Sequence, residues 1–297
     1  MIDLHAHTDR SDGSTDPGDL VRLAVREGIE ALAIADHDTF AGYDAALPTA
    51  ANSGLELICA VELSTRPGGQ SGPGKRERSV HLLGYWLSAP PSADFRRWLV
   101  SQQESRHQRN VQLVAKLQHL GVAITLEDAE RYGRNQVGRP HFAKVLCDKG
   151  YVSTMQQAFD IYLADEAKAA VDRDEPTLHE GIQRITESGG MASLAHPVRL
   201  PQTGDELANL LRDLIDAGLH GIEVFHSEHS PSDTAQFAEL ARRFDLVPTG
   251  GTDFHGDNKP GVRLGTGINF NIGLQRSFLE NMREMCAARQ QRVSGRR

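Results

Sequence analysis

Met1-Ile2-Asp3-Leu4-His5-Ala6-His7-Thr8 opens the chain as a short apolar run that ends in His-x-His, and Asp12 follows five residues later. Side chains alternate along a strand, so His5 and His7 leave the same face and can grip one cation. Imidazoles paired with carboxylates suit zinc, manganese or iron. Downstream, Asp9 to Ser14 reads as a loop, and Thr15 and Asp16 are candidate N-caps before Pro17. Leu20, Val21, Ala24 and Val25 give the helix that follows an apolar face, and Gly28 is placed to end it. The next run, Ala31 to Ala35, is strand-like and ends at Asp36-His37-Asp38.

That unit recurs. Leu55 to Val61 leads to Glu62, Met191 to Ala195 leads to His196, and Gly221 to Phe225 precedes His226-Ser227-Glu228-His229. Leu246 to Thr249 runs through two glycines to Asp253-Phe254-His255, while Ser79 to Tyr85 carries His81 within the strand. Alternating strands and amphipathic helices point to α/β architecture around a parallel sheet or barrel, with active-site groups at the C-terminal rim. The rim set is His5, His7, Asp12, His37, Glu62, His81, His196, Asp253 and His255. Six imidazoles and three carboxylates exceed the needs of one ion, so two or three divalent metals are expected, with Glu62 a candidate bridge.

Between residues 93 and 174 the pattern changes to Arg-, Gln-, Glu- and Ala-rich sequence with helical periodicity. Trp98, Val111, Val114, Leu117 and Leu120 suit one or two amphipathic helices ending at Gly121. The expected organisation is a barrel built from residues 1–92 and 175–297, interrupted by a helical insertion over 93–174 that caps the rim. Arg66 to Arg78, with four glycines and two prolines, reads as a mobile loop, and Arg289 to Arg297 as a solvated basic tail.

Composition excludes several classes. A formal net charge of −8 argues against a broad grip on duplex nucleic acid. No apolar run approaches the length that spans a bilayer. Cys59, Cys147 and Cys286 form neither a disulfide framework nor a Cys-x-x-Cys site. A metal motif starting so near the first residue leaves no room for a cleavable signal, so the cytoplasm is the expected location.

The ordered motifs His5-x-His7, Asp12, Asp36-His37, Glu62, His81, Ala195-His196-Pro197 and Asp253-Phe254-His255 resemble those of the PHP (polymerase and histidinol phosphatase) family. The resemblance covers roughly residues 1–86 and 181–297, and it implies a distorted (β/α)7 barrel with a trinuclear metal site and phosphoesterase activity. Carried over by position, one metal would take His5, His7, Glu62 and Asp253. A second would take Glu62, His81 and His196, and a third Asp12, His37 and His255. Asp12 stands where some members carry histidine, which favours manganese, with Fe2+ or Zn2+ as alternatives.

Gly138-Arg139-Pro140-His141-Phe142-Ala143, Ala167-Lys168-Ala169 and Pro197-Val198-Arg199 are similar to the branch that removes the 3′-phosphate of nucleoside 3′,5′-bisphosphates, some members of which degrade short RNA from the 5′ end. The reaction so implied is attack on phosphorus by a metal-bridging hydroxide, with Asp253 accepting a proton. Arg139, Lys168 and Arg199 are the candidates for the phosphate that does not react, and His229 for substrate contact or protonation of the departing oxygen. The expected partner is a small phosphorylated nucleotide or a short single-stranded oligonucleotide, with no membrane and no obligate protein partner. Histidinol phosphate hydrolysis and a metal-free barrel that binds a partner protein are the other readings. His141 is read as structural, His226 as pointing away from the site, and His107, His119, His179 and His220 as surface positions.

Overall fold

Asp16 caps the first helix, accepting the Gly18 N–H at 2.9 Å, and Pro17 fills the first helical position, where no amide hydrogen is needed. The computed structural model to which this cap belongs describes residues 1–68, 79–133 and 136–294, with side chains through 288. Most of the glycine- and proline-rich loop lies outside those residues, as do the last three of the basic tail, whose residues 289–294 continue the final helix instead of forming an irregular tail. Strands β1 (Ile2–Ala6), β2 (Ala31–Ile34) and β3 (Glu56–Thr65) alternate with helices α1 (Pro17–Arg26) and α2 (Ala41–Ala50). Leu20, Val21 and Ala24 of α1 are buried, whereas Val25 stays exposed.

The next described strand after β3 is β4 (Val80–Trp86), antiparallel to β3. The insertion follows as α3 (Ala93–His119), α4 (Leu126–Glu130), α5 (Arg139–Asp148), α6 (Met155–Ala158) and a π-helical turn over Phe159–Leu163. The barrel resumes with α7 (Leu178–Glu187), β5 (Met191–Leu194), α8 (Gly204–Asp216), β6 (Gly221–His226), α9 (Pro231–Arg243), β7 (Val247–Gly251) and α10 (Arg276–Ser294).

Among the described residues the seven strands form one sheet in chain order, β1 to β7, curled until β1 nearly meets β7. Asp253 N–H donates to the His5 carbonyl and His7 N–H to the Phe254 carbonyl, both at 2.8 Å. The expected run of parallel β-α units therefore holds except at β4, which is antiparallel to both neighbours. A strand of reversed direction starts at the rim where the others end, which is why His81 sits at the beginning of its strand. Beneath the barrel, Leu279, Met282 and Cys286 of α10 pack with Ile2, Leu4 and Ile58 and close the end opposite the rim.

Helix α3 is one helix of 27 residues that serves two cores. Phe95 and Leu99 join the barrel's outer helical layer, while Leu113 and Leu117 join Phe142, Leu146 and Leu163 in a separate core of the insertion. Phe95 and Leu113, like Leu99 and Leu117, stand about five turns apart on one face, so a single buried stripe meets the barrel at one end and the insertion's core at the other, while Val111 and Leu120 are exposed.

Gly251 marks the tightest approach of β7 to β1. A Cβ there would lie 2.2 Å from the His5 nitrogen, a backbone atom that cannot swing away. Gly251→Ala is expected to destabilise the chain by about 3 kcal/mol, at the upper end of overpacking costs. The urea unfolding midpoint measures this; an unchanged midpoint would mean that the two strands part freely.

Candidate active site

Strand ends and irregularities of register aim the rim side chains. Asp3 pairs with Leu32 and Ala6 with Ile34, so three steps along β1 face two along β2 around His5. An isolated bridge between His37 and Glu62 carries the pairing of β2 with β3 out to the rim. In β6, Glu223 pairs with Thr249 and His226 with Gly251, again three steps against two. Paired residues share a face, so this slip turns both Glu223 and His226 inward, where strict alternation would part them. Asp38, His196 and Asp253 hold φ values of 52°, 25° and 55° just beyond three strands. Such backbone costs about 1–3 kcal/mol per residue and concentrates at functional sites.

Three groups of candidate ligands share the rim, each with its ligand atoms within 4.8 Å of one another. In the first, His5 Nε2 and His7 Nε2 lie 3.3 and 3.1 Å from Glu62 Oε2, and 3.6 and 3.3 Å from Asp253 Oδ1. The second joins His7, Asp12, His37 and His255, with His255 Nε2 3.2 Å and His37 Nε2 3.5 Å from the Asp12 oxygens. His37, Glu62 and His81 make the third, and His196 Nε2 reaches the same Glu62 Oε1 at 2.7 Å that His81 Nδ1 meets at 2.8 Å. His7 and His37 thus each stand between two groups, and Glu62 offers one oxygen to either side.

Groups behind the ring set the histidine tautomers. Glu223 accepts from His5 Nδ1 at 2.9 Å and from the His196 N–H at 2.6 Å. His255 Nδ1–H donates to the Asp253 carbonyl at 2.8 Å. The two Nδ1 contacts leave Nε2 of His5 and His255 as the free lone pair facing carboxylates, while the backbone contact fixes the position of His196. Asp36 plays a backbone role, accepting from Thr8 N–H, Thr8 Oγ1 and Ser11 Oγ at 2.6–2.8 Å and so shaping the loop that carries Asp12.

This arrangement calls for positive charge at its centre. His5 Nε2, His7 Nε2 and His37 Nδ1 are buried without a hydrogen-bond partner, yet each faces carboxylate oxygens. Burial lowers the His7 pKa, but Asp253, Glu62 and Asp12 outweigh it and raise the value to about 9. Burial would raise the Glu62 carboxyl, but His37, His81 and His5 hold it well below the usual carboxylate range. Divalent cations fit this donor set: three carboxylates and neutral imidazoles, with little left to satisfy them otherwise.

Asp253 is less suited to a second duty as proton acceptor. Its Oδ2 already takes Lys259 Nζ at 2.6 Å, Arg199 Nη2 at 2.9 Å and His226 Nε2 at 3.3 Å. Burial would raise its pKa, but Lys259, His255 and His5 hold it well below the usual range, which suppresses basicity.

A cavity of about 1050 Å³ opens between this rim and the insertion. Arg139 and Arg199 line it, but both are engaged: Arg139 with Asp165 and the Leu163 carbonyl, Arg199 with Glu228 and Asp253. Lys168 is exposed and outside the lining, so the geometry separates it from the site. His229 is also displaced, because its Nδ1–H donates to the Val224 carbonyl and its ring packs on Phe237, behind His226. His226, expected to point away, instead touches Asp253, and His141 lines the cavity.

Sequence reasoning passed over Glu223, Lys259, Arg106 and Arg109. The two arginines lie in the polar stretch Ser101 to Asn110 of α3, which reads as a solvated face. Arg106 and Arg173 clamp the buried Asp38, whose other contact is the Ser64 N–H at 2.8 Å. Burial would raise the Asp38 carboxyl, but the two guanidiniums hold it far below its usual value, tying the insertion to the barrel.

Residues 3–187 match the model of the PHP domain. A 5′-3′ exoribonuclease of Haemophilus influenzae is 34% identical over 85% of this chain and 89% of its own length. The 3′,5′-nucleoside bisphosphate phosphatase of Chromobacterium violaceum is 32% identical over 89% of this chain and 90% of its own. A solved structure described as a metal-dependent phosphoesterase of Bifidobacterium adolescentis superposes with a TM-score of 0.79 at 29% identity, covering 95% of both chains. This chain belongs to the PHP family of metal-dependent phosphoesterases and is a hydrolase. Among the described residues no helix is long and apolar enough to cross a membrane.

Proposed function

We propose that this chain hydrolyses a phosphate monoester, removing the 3′-phosphate of a nucleoside 3′,5′-bisphosphate. The observation that carries the reading is the cavity itself, with candidate metal ligands along one wall and arginines of the insertion along the other. Its volume of about 1050 Å³ accommodates a nucleotide, and Met155 and Phe159 give one region an apolar lining suited to a base. His5, His7, Asp12, His37, Glu62, His81, His196, Asp253 and His255 would hold two or three divalent ions, manganese in the first instance, which would supply charge neutralisation and a more acidic water. Arg199 and Lys259, beside Asp253, stand where cations steady the oxygens of the reacting phosphate. His226 Nδ1 accepts the Glu228 N–H at 3.1 Å, so its Nε2–H faces Asp253 and holds that carboxylate in place.

Removal of mononucleotides from the 5′ end of a short RNA is the second reading, supported by the Haemophilus relative. Phosphate release by the manganese-loaded protein from adenosine 3′,5′-bisphosphate, 3′-AMP, 5′-AMP and a 5′-phosphorylated trinucleotide tests both. Fast release from the bisphosphate alone is expected. Stepwise mononucleotide release from the trinucleotide would replace that reading with a nuclease. Absence of turnover together with absence of bound metal would favour a partner-binding module.

A further inference from the structure

The insertion wall of the cavity collects hydrogen-bond donors that have no acceptor. Arg109 is 7% exposed, lines the cavity, and makes no hydrogen bond or ion pair with any described residue. His141 Nδ1 accepts the Gly138 N–H at 2.8 Å, so its proton sits on Nε2, which is buried and unpartnered. Burial, reinforced by Arg106 and Lys144, lowers the His141 pKa to about 4, so the ring is a neutral donor. The Gln136 side-chain NH2 is buried in the same wall without a partner, and Arg106 Nε is likewise unmet. Arg139 and Arg173, by contrast, are spent on Asp165, Asp38 and Glu175. Glu175, an acid in the same lining, is held by Arg173, Ser79 and Arg66.

A guanidinium buried without a counter-charge is costly. Burial disfavours the Arg109 charge, Arg106, Arg139 and Arg173 nearby disfavour it further, and Glu175, itself paired with Arg173, offsets them only in part. An anion with several acceptor oxygens would meet every one of these donors: the planar fork of Arg109, the imidazole N–H and the amide. A terminal phosphate dianion has that form, since it is all acceptor and matches a guanidinium bidentately.

We propose that Arg109, with His141 and Gln136, forms a subsite on the insertion for the phosphate of the substrate that is not cleaved. The inference rests on the phosphatase reading above and moves the selecting role from Arg139 and Lys168 to Arg109 of α3, His141 of α5 and Gln136 just before α5. The same chemistry serves the 5′-phosphate of a mononucleotide bisphosphate and the 5′ end of an oligonucleotide.

The test uses the manganese-loaded full chain and two variants, Arg109→Met, which keeps the apolar stem, and Arg109→Lys, which keeps charge without the fork. The ratio of kcat/KM for adenosine 3′,5′-bisphosphate over 3′-AMP is expected to fall about 100-fold in Arg109→Met and by less in Arg109→Lys. A 5′-phosphorylated against a 5′-hydroxyl trinucleotide, run in parallel, separates the oligonucleotide source. An unchanged ratio would overturn the subsite, as would equal loss on both substrates in a variant of lowered melting temperature. Calorimetric binding of 5′-AMP separates this failure from that of the phosphatase reading. If no ester is turned over, 5′-AMP binding lost in Arg109→Met still supports the subsite, and equal binding by wild type and variant overturns it.

Discussion

Glu62→Gln is expected to lower turnover by about 10³-fold or more and to reduce the bound metal, with the fold retained. Glu62 is the side chain on which two of the three ligand groups depend: Oε2 faces His5, His7 and His37, and Oε1 faces His81 and His196. Glutamine keeps the shape but replaces one oxygen with an N–H2 donor and removes the charge, so it can serve at most one side. Glu62 is 1% exposed, and among the described carboxylates it alone contacts the imidazole rings of both sets, since Glu223 reaches His196 only through its backbone N–H. Metal content by mass spectrometry and phosphate release, on protein whose circular dichroism matches wild type, would measure both effects. Full metal content with near wild-type turnover would show that Glu62 is not shared between ions.

Stripping the metals with a chelator is expected to leave a folded chain whose stability falls as pH rises from about 6.5 to about 9. The His7 pKa is raised from 6.5 to about 9 by Asp253, Glu62 and Asp12, against the lowering effect of burial. A group raised in the folded state stabilises fully below its unfolded pKa, and that contribution is lost as pH passes through the folded value. His5 is shifted in the same direction, chiefly by Glu223 and Glu62 against burial. Metal ions compete with those protons, so manganese should bind more tightly at pH 8 than at pH 6, releasing protons as it does. At a thousandfold excess over its dissociation constant, one site adds about 4 kcal/mol. Thermal melts with and without manganese across this pH range would read both slopes. A melting temperature of the stripped chain that rises between pH 6.5 and 9 would contradict the assignment.

The ligand ring was legible because its signals are local. A histidine or carboxylate just past an apolar strand is visible without knowing what the strand pairs with, and His5, His37, Glu62, His196, Asp253 and His255, candidate ligands on that ground, do meet at the rim. His81 was found too, but its place inside a strand made sense only when β4 proved antiparallel. His226 was misread for a related reason. Alternation gives the facing of a side chain only while register is regular, and the slip opposite Thr249 and Gly251 lies between strands, where one sequence cannot record it.

The substrate side was less legible. Arg139 and Arg199 line the cavity, but their neighbours Asp165, Glu228 and Asp253 occupy them, while Lys168 and His229 fall outside it. Arg106 and Arg109 sit in a charged stretch of α3 that resembles any solvated helix face; Arg109 is buried and Arg106 largely covered because the insertion folds over the rim. By itself, then, the sequence determined the β-α class and the residues that end up together at the rim, because period and composition act over a few residues. Strand direction at β4, the inward turn of His226 and the burial of Arg109 were decided by tertiary structure, because each depends on contacts between segments far apart in the chain.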